Sequence, residues 1–238
     1  MSENLLSLIY EYILPIPAIL LAMSVHEVCH GFVAEKCGDP TPRATGRLSL
    51  NPFRHIDPIG FLALMFIGFG AAKPVQVNAR NFKNPRRDMA LVALAGPLSN
   101  LLMAFAGTLL LTLYTIYLFP LLQAGSAFSN GLAETISALL LYFCLINLGF
   151  FAFNLIPLPP LDGSHILFAC LPAKIAWKAK RYEHIFSYVL IGLILLSLVS
   201  DRIGLPYLDI LSMTLGRVRN FFYNTFIDFW LMIFGGII

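Results

Sequence analysis

Long apolar stretches restrict the possible folds of this chain more than any other feature of its sequence. Residues 89–133 contain no charged residue and no histidine. Hydrophobic residues make up 58% of the chain and charged residues 12%, against roughly 45–50% and 25% in soluble globular proteins. A helix needs about 20 apolar residues to cross a bilayer. Four stretches are long enough: about 13–37, 88–118, 132–156 and 183–200.

The lengths of the polar segments predict the domain organisation. None is long enough to form a separate soluble domain of about 100 residues. We therefore expect one membrane-embedded domain over residues 1–238, with its core at about 13–170 and C-terminal helices at about 183–238. The predicted fold class is an all-α membrane protein, a polytopic bundle of about four or more transmembrane helices in the lipid bilayer. The net charge of +3 is too small and too scattered to indicate nucleic-acid binding.

Basic residues are distributed unevenly between the segments that connect these helices. Nine Lys and Arg lie between residues 31 and 88 and four between 157 and 184, whereas the turn at 120–130 has none. Positively charged loops tend to stay in the cytoplasm. The sequence therefore predicts that the first two segments face the cytoplasm and that the 120–130 turn faces outward.

Two stretches do not fit ordinary spanning helices. Residues 58–72 are uncharged but too short to span, so we expect a re-entrant or interfacial element there. The β-like stretch that follows predicts a hairpin element, and it consists of Lys73, Pro74, Val75, Gln76 and Val77. The tail at 203–238 fits an interfacial segment and a further span equally well, including its last apolar run at 221–238.

The first apolar stretch carries the pentapeptide His26-Glu27-Val28-Cys29-His30, an HExxH motif. Residues four apart share one face of an α-helix, so both histidines can offer a nitrogen to one Zn²⁺, and Glu27 can act as general base. Glu27 lies about 15 Å from either end of the helix, near the middle of the hydrocarbon layer. Ionisable side chains at that depth normally mark a functional site. The alternative is a chance motif on a packed helix.

A catalytic zinc site needs a third protein ligand and one open position. Asp162 follows a long uncharged stretch and the helix-breaking run Pro157-Leu158-Pro159-Pro160. Irregular backbone at membrane depth is tolerated where it lines a cavity, which favours a ligand role for Asp162. An N-capping role at the start of the next helix explains the residue equally well. The spacing alone leaves both interpretations open.

Several ordered motifs resemble the site-2 protease family of intramembrane zinc metalloproteases, in its short form without a PDZ or CBS domain. The pentapeptide resembles the first signature of the family, and the segment from Asn154 to Gly163 resembles the second. Further similar segments are Ala95-Gly96-Pro97-Leu98-Ser99-Asn100 in the middle core helix and the loop blocks Leu50-Asn51-Pro52, His55-Ile56-Asp57-Pro58 and Lys73-Pro74-Val75. The resemblance covers about residues 20–170.

The resemblance implies an enzyme that hydrolyses peptide bonds in or near the transmembrane segments of membrane-protein substrates. It implies one Zn²⁺ per chain on His26, His30 and Asp162, with Glu27 catalytic and Asn154 near the reacting carbonyl. We further expect a multi-pass protein of a prokaryotic cell membrane whose active site opens toward the cytoplasm. The oligomeric state stays open, and a homo-oligomer is allowed.

The polar residues near these motifs also have simpler interpretations. Asn154 could join helices by a hydrogen bond instead of assisting catalysis, and for Asn100 and Asn147 this structural role is the better interpretation. His165 is expected beside the metal rather than on it, because a fourth protein ligand would close the open position.

The stretch from Lys73 to Val77 has two interpretations of equal weight. Its alternation suits an exposed strand, and Pro74, which lacks an N–H, suits the edge of a sheet. Unwound substrate backbone could pair with such an edge. A capped hairpin that only packs against the first helix fits the same residues.

Two other classes of function compete with a protease. A metal or ion permease would also bury His, Glu and Asp in the membrane, but the sequence shows no inverted repeat and no second matching set of polar residues. A catalytically inactive membrane scaffold would not require the complete set of reactive residues that this chain contains.

Overall fold

The computed structural model describes residues 8–67, 73–200 and 203–235 of the chain. No β-strand occurs in these ranges, which confirms the predicted all-α fold class. The α-helices described are α1 (Ile16–Lys36), α2 (Thr41–Ala44), α3 (Pro58–Ile67), α4 (Pro85–Leu113), α5 (Phe119–Gln123), α6 (Ala127–Asn154), α7 (Asp162–Cys170), α8 (Ala173–Arg181), α9 (Glu183–Ser200) and α10 (Ile210–Phe234).

Four helical segments of the described chain are long and apolar enough to cross a membrane. They are Tyr10–Lys36, Pro85–Gln123, Ala127–Asn154 and Glu183–Ser200. Each corresponds to one apolar stretch of the sequence, so the predicted number and positions of the spans are confirmed. The second segment is longer than expected because a π-helical turn at Tyr114–Leu118 joins α4 directly to α5.

Helix α4 is the centre of the bundle and packs against α1, α6 and α7. Small residues allow this close approach: Ala104 and Thr108 are completely buried. A Cβ added at Gly107 would lie 2.6 Å from the Phe143 ring of α6. Lipid tails are as apolar as the helix surfaces, so close packing of this kind is what holds transmembrane helices together.

The C-terminal tail, which the sequence left undecided, forms α10 and packs against α4 and α6. Phe105 of α4 contacts a cluster of aromatic rings from α10, and Trp230 Nε1 donates a hydrogen bond to the Phe105 carbonyl at 3.2 Å. Phe222 packs edge-to-face on Phe151 of α6, with ring centroids 5.1 Å apart. The tail is therefore a part of the helical bundle.

The segment before α4 differs from the predicted hairpin. Residues 68–72, in the predicted re-entrant element, lie outside the described residues, and residues 73–78 form no strand in the described part of the chain. Two of their N–H groups are bonded to side chains of earlier segments and not to a neighbouring strand. Val75 N–H donates to Glu27 Oε2 at 2.8 Å, and Asn78 N–H donates to Asp39 Oδ2 at 2.7 Å.

Candidate metal centre

Helix α1 places the pentapeptide on a buried face. The helix starts at a Pro15 N-cap, where a missing N–H costs nothing, and it ends before Gly38, whose φ of +106° favours glycine. His26, Glu27 and His30 are 5%, 8% and 8% exposed. The His26 and His30 Nε2 atoms lie 3.0 Å apart, so the two side chains share one face of the helix, as the i, i+4 spacing predicts.

Helix α4 orients both histidine rings. His30 Nδ1–H donates to the Val92 carbonyl at 2.7 Å, and His26 Nδ1–H donates to Asn100 Oδ1 at 2.6 Å. Both acceptors are oxygens without a proton, so Nδ1 carries the proton in the neutral form of each ring, and that form presents a free lone pair at Nε2. Such partners fix the tautomer and orientation of metal-binding histidines.

Asn100 belongs to a chain of amides across the bundle. Its Nδ2 donates to the Ala22 carbonyl of α1 at 3.2 Å and to Asn147 Oδ1 of α6 at 2.9 Å. Asn147 Nδ2 donates in turn to the Phe143 carbonyl at 2.8 Å. The expected helix-joining role therefore holds for both amides. Sequence reasoning missed that Asn100 also binds His26.

The face of α4 between these two acceptors must carry a glycine. Val92, Gly96 and Asn100 are four residues apart and share this face. A Cβ added at Gly96 would lie 2.4 Å from His30 Nε2 and 2.6 Å from His26 Nε2. The spacing of these residues was a usable signal in the sequence, because it puts all three on the side of α4 that meets α1.

Asp162 completes the cluster from the start of α7. Its Oδ2 lies 3.1 Å from His26 Nε2 and 3.3 Å from His30 Nε2. The capping interpretation fails, because Leu161 is the N-cap of α7 and no side-chain cap bond is present. A Cβ added at Gly163 would lie 2.4 Å from the Leu155 carbonyl oxygen, so this glycine lets α7 start against the end of α6.

The donor atoms fit a zinc ion. Two imidazole nitrogens and one carboxylate oxygen form a set found in catalytic zinc sites, and bonds of about 2.0–2.1 Å in a tetrahedron separate ligand atoms by roughly 3.3 Å. The observed separations are 3.0, 3.1 and 3.3 Å. When all three atoms are deprotonated, their lone pairs repel one another at this distance, and a bound cation would remove that repulsion. Three protein ligands leave one position open.

A cavity of about 800 Å³ opens in front of this cluster. Glu27 lines it and accepts the Val75 N–H described above, while Asn154 lines it from the end of α6. One Asn154 amide hydrogen goes to the Phe150 carbonyl at 3.0 Å. His165 also lies in the wall, beside the cluster as expected.

Only part of the expected substrate segment reaches the cavity. Pro74, Val75 and Val77 line it, whereas Lys73 and Gln76 are exposed and do not. The opposite wall comes from α9, through residues such as Leu190 and Ile194. No sequence signal had pointed to α9 as part of the site.

Comparison with known proteins gives a consistent set of matches. The family model of peptidase family M50 matches residues 15–197. A Bacillus subtilis protein named "Putative zinc metalloprotease YwhC" is 42% identical over 165 residues, which are 69% of this chain and 72% of that protein.

Two mycobacterial matches are more distant. A Mycolicibacterium smegmatis protein named "Putative zinc metalloprotease Rip2" is 31% identical over 166 residues, which are 66% of this chain and 57% of that protein. The Mycobacterium tuberculosis protein of the same name is 34% identical over 161 residues, which are 64% of this chain and 55% of that protein. The matched region thus spans little more than half of the mycobacterial relatives. No solved structure matches this chain.

Proposed function

This chain belongs to peptidase family M50, and we propose that it hydrolyses peptide bonds in or near the transmembrane segments of membrane proteins, with one Zn²⁺ held by His26, His30 and Asp162. Membership makes it a zinc metalloprotease, and its apolar helices make it a membrane protein. The observation that carries the proposal is the convergence of two imidazole nitrogens and one carboxylate oxygen, 3.0 to 3.3 Å apart, on the wall of one cavity.

In this proposal, Glu27 transfers the proton that the reaction needs. When bound, Zn²⁺ lowers the pKa of a water toward about 7 and polarises the scissile carbonyl. The Glu27 carboxylate takes a proton from the attacking water and passes it to the amine nitrogen as the peptide C–N bond breaks. The hydrogen bond from Val75 N–H occupies Oε2, so Oε1 is the oxygen left for this transfer.

Asn154 supports the reacting carbonyl. It is the last residue of α6 and lines the cavity, and only one of its two amide hydrogens is bonded within the helix. The second hydrogen can be donated to the oxygen on which negative charge develops. A donor of this kind contributes about 3 kcal/mol to transition-state stabilisation in comparable sites.

The substrate must present an unwound stretch of backbone, because a transmembrane helix hides each carbonyl in its own hydrogen bonds. We place this stretch along the segment from Lys73 to Val77. The Val75 N–H is already bonded to Glu27, whereas the Val77 N–H has no partner among the described residues. Pairing would therefore use Val77 and the carbonyls of the segment.

We also propose the arrangement of the protein in its membrane. In this arrangement, residues 1–238 form a single metalloprotease domain in a prokaryotic cell membrane, and the distribution of basic residues supports a cavity that opens on the cytoplasmic side. Water would enter from that side. A homo-oligomer remains compatible with this arrangement.

The test separates zinc binding from turnover. His26→Ala is expected to lose zinc and activity, because it removes one of three ligands. Glu27→Gln is expected to keep zinc and lose activity, because Glu27 binds a proton and not the metal. Zinc content and cleavage of transmembrane substrates are measured on the same preparations. Glu35→Gln, the same change two turns along α1, and His184→Ala, at an exposed histidine, are matched controls expected to keep both.

Three outcomes contradict parts of this proposal. Full zinc occupancy in His26→Ala would exclude the ligand set, and zinc loss in Glu27→Gln would make that carboxylate a ligand. Metal transport into vesicles without any cleavage would favour a permease. Substrates can be found as transmembrane fragments that accumulate with wild-type protein but not with Glu27→Gln.

A further inference from the structure

Helix α8 (Ala173–Arg181) is a short amphipathic helix that the catalytic proposal does not use. Its sequence is AKIAWKAKR, with four cations and no acidic residue. At 100° per residue, Lys174, Lys178 and Arg181 fall on one side with Trp177 at its edge. We call these four residues the basic face of α8. Ala176 and Ala179 lie on the opposite side and are half-buried against the protein.

The basic face is not covered by any described part of the protein. Trp177 is 65% exposed, and its neighbour Ile175 is 52% exposed. The Arg181 guanidinium carbon lies 5.9 Å from the centroid of the Trp177 ring, so the indole and the charge point to the same side. An exposed indole among cations suits a partner with an anionic surface and an apolar layer beneath that surface.

Chain connectivity puts both ends of α8 at the membrane boundary. Only Tyr182 separates Arg181 from Glu183, the first residue of the membrane-spanning segment Glu183–Ser200. One residue reaches less than 4 Å, so the C-terminal end of α8 cannot leave the boundary.

The preceding helix fixes the other end. Arg86 is the second residue of the span Pro85–Gln123, and its Nη2 donates to the Phe168 carbonyl of α7 at 3.4 Å. Residue 168 is five positions before the start of α8. Both ends of α8 thus lie near places where candidate spans begin, an arrangement that suits a helix lying along the surface of a bilayer.

We propose that the basic face of α8 binds anionic phospholipid headgroups of the surrounding bilayer. Lys174, Lys178 and Arg181 would contact phosphates, and Trp177 would enter the headgroup layer, where amphipathic rings are most stable. Juxtamembrane cations of this kind are attracted to anionic lipid and follow its surface potential. The basic face would thereby attach α8 to the bilayer surface. This helix connects α7, which begins with Asp162, to α9, which forms a wall of the cavity.

Tryptophan fluorescence tests this binding without any turnover. The chain has two tryptophans, so Trp230→Phe leaves Trp177 as the single reporter. The protein is placed in phosphatidylcholine nanodiscs with increasing phosphatidylglycerol. The Trp177 emission is expected to shift to shorter wavelength, and its quenching by brominated lipid is expected to rise. Salt at 1 M should suppress the response, because the Debye length falls from about 10 Å at 0.1 M to 3 Å.

Two triple variants of equal charge make the test specific. Lys174→Gln, Lys178→Gln and Arg181→Gln together are expected to weaken the apparent lipid affinity by roughly 100-fold, since each cation near the surface contributes about fivefold. The control neutralises three exposed cations around the start of α4, namely Arg80, Lys83 and Arg87. It is expected to keep the Trp177 response. Circular dichroism and zinc content show whether both variants are folded.

Three results would overturn the proposal. Trp177 emission that ignores phosphatidylglycerol would show that the face does not bind this lipid. An equal loss in both triple variants would reduce the effect to net charge. A response only to an added acidic polypeptide would assign the face to a protein partner. Each result leaves the protease function untouched, because no step of the measurement requires catalysis.

Discussion

Replacement of Gly96 by alanine is expected to weaken zinc binding strongly, although Gly96 has no side chain that could bind the metal. The added methyl would lie 2.4 Å from His30 Nε2, whereas ordinary contact begins near 3.4 Å. One of the rings must therefore move by about 1 Å. Metal–ligand distances tolerate roughly 0.2 Å. Neither ring can turn away freely, because His26 is held by Asn100 and His30 by the Val92 carbonyl.

The expected loss follows from this displacement. Disturbing the partners of a zinc ligand alone lowers metal affinity by 10- to 100-fold, and displacing the ligand itself should reach at least the upper limit. We expect the zinc dissociation constant of Gly96→Ala to rise about 100-fold, which corresponds to about 2.8 kcal/mol. Competition with a chelating dye on detergent-purified protein measures this constant directly.

Gly107→Ala is the matched control on the same helix. Its methyl would lie 2.6 Å from the Phe143 ring, a similar overlap at a contact between α4 and α6. This variant is expected to lose thermal stability while the folded fraction binds zinc with wild-type affinity. If Gly96→Ala binds zinc as tightly as wild-type protein, α4 does not form the wall of the metal site. An equal loss of affinity in both variants would instead indicate a general packing defect.

Three further predictions address topology, the substrate segment and the loop that anchors it. Single cysteines at Lys83 and Lys178, in a cysteine-free background, should react with impermeant reagent only after intact cells are opened; external labelling would refute the cytoplasmic assignment. Val75→Pro should slow cleavage more than Val77→Pro, because it also removes the donor to the general base; wild-type rates in both folded, zinc-bound variants would exclude a substrate platform. Burial favours a raised pKa for Asp39, but four hydrogen bonds to its charged form hold the pKa below the usual value. Asp39→Asn should therefore lower the melting temperature at pH 7, and the gap should close as the pH falls through the lowered folded-state pKa; a gap that persists in acid would contradict this origin.

The spans and the histidine pair could be predicted because they depend on neighbours in the chain. Hydropathy over about 20 residues is a local quantity, and the contact between His26 and His30 needs only one turn of helix. The positions of Asp162 and Asn154 came from resemblance, since the spacing left a capping role open for Asp162. In the structure, its Oδ2 lies 3.1 Å from His26 Nε2.

The partners of these residues were decided by the packing of helices. Asn100 is 74 positions from His26, Val92 is 62 from His30, and Val75 is 48 from Glu27. The expected strand is absent from the described residues, and the Glu27 carboxylate accepts the Val75 N–H that could have bonded to a neighbouring strand. The tail was undecidable from hydropathy, since the aromatic contacts of α10 depend on the surface that α4 and α6 present. Local sequence thus determined which segments enter the membrane and which two histidines face one point. Only tertiary contacts decided which groups orient the two histidine rings. Every residue has a backbone carbonyl, and the chain has many amides, so their partners are defined only once the helices are packed together.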